Sequence, residues 1–166
     1  MIGKIITLVI VVSIMVVLFL SMSTAQKMTV IVNGNMDKKP IDIVLHHFQD
    51  SDCGMPIEDM NYASQVVANS GNTWFFHDHG GLAHWMQDKE FKDELVVWIW
   101  AIDSQKWIDG RKAWYSFTED TPMAFGFGGY EHKKEKMIDF KTMYLRVLRN
   151  ETMANPYYVE QLRGSN

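Results

Sequence analysis

Residues 5–20 run through Ile, Leu, Val, Met and Phe without one charge, glycine or proline, broken only by Thr7 and Ser13 and preceded by Lys4. A helix apolar on every face belongs in a bilayer or at the centre of a large core. This stretch therefore reads as an export signal or a membrane anchor. A spanning helix takes about 20 apolar residues and a cleavable signal core about 7 to 15, and the segment falls between the two. Ser23-Thr24-Ala25 supplies the small residues that signal peptidase accepts, which would place a cut before Gln26. Either outcome puts the remainder in the periplasm or another extracytoplasmic space, membrane-anchored or secreted, since no later segment is apolar enough to span.

What remains, roughly 140 residues, is the size of one ordinary domain. The expected organisation is a signal or anchor helix over residues 1–25, a tether over 26–40, an α+β domain over 41–154 and a tail over 155–166. All six tryptophans lie after Gln26, which argues that the exported part folds. The net charge is −4 with acids and bases interspersed, and no basic run carries the aromatic interleaving of a nucleic-acid surface, so nucleic acid is excluded as a partner.

Local patterns set the expected element order. Residues 28–32 suggest a short strand, and β-branched content suggests another over 41–45. Residues 62–67 and 73–76 flank Asn69-Ser70-Gly71-Asn72, the composition of a hairpin turn. Gly80-Gly81 opens a segment with Leu82, Trp85 and Met86 at helical spacing. The apolar run 95–102 suggests a strand buried on both faces, Asp109-Gly110 a second hairpin, residues 121–130 an extended strand and 136–148 a helix. The order suggests two related ββαβ units forming one small domain behind the N-terminal apolar helix, with a short turn or helix in the tail.

Three places could carry chemistry. The single cysteine stands in Cys53-Gly54-Met55, where residues two apart on extended backbone share a side and offer a thiolate and a thioether, the two side-chain sulfurs that favour Cu(I) over hard cations. A lone thiol in an oxidising compartment also needs protection, by burial or by a metal. The plainer alternative is a small buried cysteine beside a gap-filling methionine. Thr121-Pro122-Met123 offers a further sulfur if the two halves face each other. His77-Asp78-His79 alternates imidazoles on an expected extended segment, so His77 and His79 would share a face, with Asp78 projecting away or orienting a histidine; His84 is a weaker candidate. Zinc or Cu(II) stays open on these residues. No nucleophile elbow, phosphate loop or dinucleotide fingerprint is present, so the expectation is a protein that is not an enzyme.

Cys53-Gly54-Met55, Tyr62-Ala63-Ser64-Gln65, Trp74-Phe75-Phe76-His77-Asp78 and Thr121-Pro122-Met123-Ala124-Phe125-Gly126, taken in order, resemble the NosL family of nitrous oxide reductase accessory proteins. The likeness spans about residues 52–129. It implies a two-unit α+β protein outside the inner membrane that binds one Cu(I) and delivers it to the copper sites of nitrous oxide reductase or a related client. By motif the family's ligands fall on Cys53, Met55 and Met123, with Asp78 or a neighbouring histidine, His77 or His79, as a further donor. Two departures stand out: no lipobox cysteine near residue 25, and histidines where the family has acidic residues. The other readings are a membrane-tethered interaction module of a respiratory complex without metal, and a thiol-dependent enzyme at Cys53.

Overall fold

In a computed structural model of the chain, residues 2–23 and 28–164 are described. Helix α1 (Ile2–Ser23) is apolar over Ile2–Leu20 and buries none of that span against the rest of the protein, in keeping with a signal sequence or an anchor. The cut expected after Ala25 lies outside the described residues, as does the start of the tether.

A five-stranded antiparallel sheet organises the domain beyond this helix. Strands β1 (Ile31–Val32), β2 (Ser64–Val67), β3 (Thr73–Phe76), β4 (Val96–Ala101) and β5 (Lys106–Asp109) stand in the order β1-β3-β2-β4-β5. The β2–β3 hairpin forms where its turn residues placed it, closed by Ala68, whose N–H donates to the Asn72 carbonyl and whose carbonyl accepts the Gly71 N–H. Within the expected tether, Ile31–Val32 forms β1 at the edge of this sheet. Ile31 pairs with Trp74, and Asn35 donates its N–H to Gly71.

The strand expected over 41–45 does not form. Ile41, Ile43 and Leu45 still pack under the sheet with Phe48, Ile57, Ala63 and Phe75. The buried Gln65 side chain holds Ile41 instead, accepting its N–H at 2.8 Å and donating to its carbonyl at 2.9 Å. A side-chain amide thereby satisfies the backbone that a neighbouring strand would otherwise have paired.

On the other face lies the main core. Val66, Phe76, Val97 and Ile99 meet helices α2 (His79–Met86) and α3 (Phe140–Leu148) through Leu82, Met86, Phe140 and Met143. Burying each such large side chain contributes about 1.5–3 kcal/mol. β4 buries alternate residues and leaves the others, Trp98 and Trp100 among them, half-covered, so only one of its faces is fully enclosed.

Asp109-Gly110 is not a hairpin. Gly110 donates its N–H to Val97 and so prolongs the β4 ladder. The chain then leaves for a second sheet of β6 (Trp114–Tyr115), β7 (Gly129–Tyr130) and β8 (Ile138–Asp139), in the order β7-β6-β8. Tyr115 Oη pins the crossing by donating to the Gly110 carbonyl at 2.7 Å. The expected strand 121–130 is a turn at Thr121 to Ala124 with pairing only at its end, and the helix expected from residue 136 begins at Phe140, after β8. The first half thus has the ββαβ order. In the second half three short strands precede α3 and, among the described residues, no strand follows it; α4 (Pro156–Gly164) does. The class is α+β, and the expected second ββαβ unit is not formed.

Candidate metal centre

The site is built where β3 ends. Beyond the reach of β1, Ser51 takes over the edge of β3, donating its N–H to the Phe75 carbonyl at 2.8 Å. This docks the turn from Asp50 to Met55 beside His77, the residue that comes after β3. The turn is closed by Asp50 N–H on the Met55 carbonyl and by Gly54 N–H on the Asp50 carbonyl. Gly54 has φ +78°, a left-handed conformation that suits a residue without a Cβ.

Asp50 is the hub of this turn. Its Oδ1 accepts the N–H groups of Asp52 at 2.7 Å and Cys53 at 3.0 Å. Its Oδ2 accepts the His77 N–H at 2.8 Å and lies 2.6 Å from His77 Nδ1. Burial pushes the Asp50 carboxyl upward, but the ring and backbone bonds outweigh it and hold the group below the ordinary carboxylate range. The Cys53 Sγ lies 3.8 Å from the same Nδ1. One donor atom from each of Asp50, Cys53 and His77 falls within 4.8 Å of the others, a group that could hold a metal ion. Burial, and the nearby Asp50 and Asp52 carboxylates, raise the Cys53 thiol above its ordinary value.

In comparisons with known proteins, no family model, no curated protein and no solved structure matches the chain. Its chemistry therefore has to be read from its own residues.

Cys53 and His77 are brought together, as the sequence suggested separately for each. Gly54 turns the chain between Cys53 and Met55. Met55, a residue 42% exposed, lines a cleft of about 340 Å³ with Pro56, Glu58, Asp59, His77 and Pro122. Asp78 is the N-cap of α2. One carboxylate oxygen accepts the Gly80 N–H at 2.9 Å and the other accepts the Met123 N–H at 2.9 Å. It thus ties the Thr-Pro-Met loop to the start of the helix and brings Pro122 to the cleft. Burial raises its carboxyl, with the bonds from Thr121, Gly80 and Met123 opposing.

His79 departs from expectation. Because Asp78 caps a helix, His79 is its first residue and turns into the core, edge-on to Tyr115 at 5.8 Å, with both ring nitrogens unpartnered among the described residues. Burial holds its pKa down to about 3. It does not share a face with His77. Asp50 is not among the candidates the sequence offered, yet it carries a usable signal: an Asp whose carboxylate accepts the N–H groups two and three residues on is an Asx turn, and it stands three residues before the only cysteine.

Proposed function

We propose that this chain is a Cu(I)-binding accessory protein that works outside the cytoplasm at a membrane and hands its ion to a client copper enzyme, nitrous oxide reductase or a relative. The observation that carries the reading is the convergence of Cys53 Sγ and the His77 imidazole beside an open cleft. Asp50 already accepts three backbone N–H groups and the His77 ring, which uses the lone-pair directions of a carboxylate. It is therefore an orienting group that holds His77 Nδ1, and the donors left for an ion are the Cys53 thiolate and the other ring nitrogen of His77, with the Met55 thioether on the cleft wall. That soft, low-coordinate set suits Cu(I). The open side gives a client ligand room to attack, so the ion can leave by exchange.

A thiol-dependent enzyme fits less well. A nucleophilic cysteine needs a lowered pKa and a histidine free to take its proton. Here the thiol is raised, and the nitrogen nearest Sγ is held by Asp50. Zinc is the second reading, because Asp, Cys and His are all ligands it accepts.

Anaerobic Cu(I) competition against a chromogenic chelator, with the wild type, Cys53→Ser and Met123→Leu, tests the proposal. One tightly bound equivalent, weakened by Cys53→Ser, supports it; weakening by Met123→Leu adds the second loop to the site. Binding indifferent to Cys53, or none, sinks it, and a Zn(II) titration then decides the second reading.

A further inference from the structure

Two His–Asp pairs, not one, link the Asp50–Met55 turn to the β3–α2 junction. His77 meets Asp50, and His84, in the second turn of α2, meets Asp52 with Nδ1 2.9 and 3.1 Å from the two carboxylate oxygens. The inner pair is enclosed, its side chains 6% and 1% exposed. The outer histidine is 53% exposed over an Asp52 that is 14% exposed. A Cβ on Gly81 would lie 3.7 Å from Asp52 Oδ2 and 4.0 Å from Asp50 Oδ2, so the two carboxylates flank the same residue of α2. Asp52 also directly precedes Cys53, and its N–H is bound to Asp50.

A carboxylate that holds one imidazole nitrogen fixes the tautomer and leaves the other nitrogen as the metal-binding one. From this we infer that His84, oriented by Asp52, is an outer capture site for the same soft metal ion, which it passes inward to Cys53 and His77. The inference rests on the proposed copper reading and deepens it. It gives the protein two mouths: the ion arrives over α2 at His84, and the client withdraws it from the cleft between Met55 and Pro122. Transfer is a ligand exchange with no redox step. The incoming Cu(I) gains the Cys53 sulfur, which releases its thiol proton to solvent, and loses the His84 nitrogen.

His132 supplies an internal control. It forms the same kind of pair, Nδ1 to Asp103 at 3.0 Å, with its side chain 76% exposed, on the loop after β7 rather than beside Cys53. The test is anaerobic stopped-flow transfer of Cu(I) from a chromogenic chelator complex to the full chain in detergent, comparing wild type, His84→Asn and His132→Asn. The expected result is uptake slowed several-fold by His84→Asn with an unchanged final partition of copper, and no effect of His132→Asn. Uptake by His84→Asn at the wild-type rate overturns the capture site alone. A fall in the final partition overturns it too, by making His84 part of the inner site or of its support. Slowing by His132→Asn to the same degree overturns it by showing that any surface imidazole serves. A wild type that takes no copper overturns both readings.

Discussion

Oδ2 of Asp50 stands 2.6 Å from Nδ1 of His77 and 2.8 Å from its backbone N–H, so one carboxylate oxygen fixes both the ring and the main chain of that residue. Replacing Asp50 by Asn puts an amide donor against N–H groups that need an acceptor. Urea unfolding of Asp50→Asn should show a loss of about 1.5–3 kcal/mol, the scale of a hydrogen bond to a charged group. Metal affinity should fall about 10- to 100-fold, as for other groups that orient a ligand. Affinity equal to wild type would remove Asp50 from the site.

The same carboxylate sets an acid limit. Its folded pKa lies below the unfolded value, so its contribution to stability is present above the ordinary carboxylate range and is lost as pH falls through the folded pKa. Urea midpoints taken from neutrality downward should drop below about pH 4 in the wild type and less steeply in Asp50→Asn.

Metal binding should run the other way on the thiol. Cys53 must lose a proton to ligate, and its pKa is raised. Competition titrations should therefore show apparent affinity rising about tenfold per pH unit through the neutral range toward the thiol pKa. A flat profile would mean that Cys53 is not a ligand.

Asp78 separates two roles that a simple truncation would mix. Ser is a good N-cap but is too short to reach the Met123 N–H as well. Asp78→Ser should keep the circular-dichroism signal of its helices, lose about 1–2 kcal/mol in urea unfolding, and weaken Cu(I) binding by the same factor as Met123→Leu. If copper binding is unaffected, the Thr-Pro-Met loop does not serve the site.

Gly80 admits the Phe125 ring. A Cβ there would come within 2.1 Å of Phe125 Cγ, so Gly80→Ala should destabilise by about 1–3 kcal/mol through overpacking, and Phe125→Leu in the same chain should restore part of the loss. Thermal unfolding of the single and double variants checks this packing.

The β2–β3 hairpin and α2 were legible because their signals are local: a turn-forming tetrapeptide between β-branched runs, and Gly80-Gly81 before apolar residues at helical spacing. Asp109-Gly110 misled because a turn signal says that the chain bends, not which strand it meets next. Gly110 stays bonded to β4 and Tyr115 holds the crossing. The error at His79 came from reading Asp78 as a strand residue when it is a cap, which sends two histidines, two positions apart, to opposite sides. The Cys53–His77 meeting depends on Ser51 replacing β1 along β3, a tertiary event with no periodicity of its own.

The pairing of Ile31 with Trp74 and the bridge of Thr29 to Phe48 mean that the folded domain begins almost as soon as α1 ends. The peptide between Ser23 and Thr29 spans about 20 Å even when fully extended. Where α1 stays in a bilayer as an anchor, the folded domain is held within about that distance of the lipid surface. On the proposed copper reading, an uncleaved α1 would make the protein a dispenser that its client reaches only by coming to the membrane.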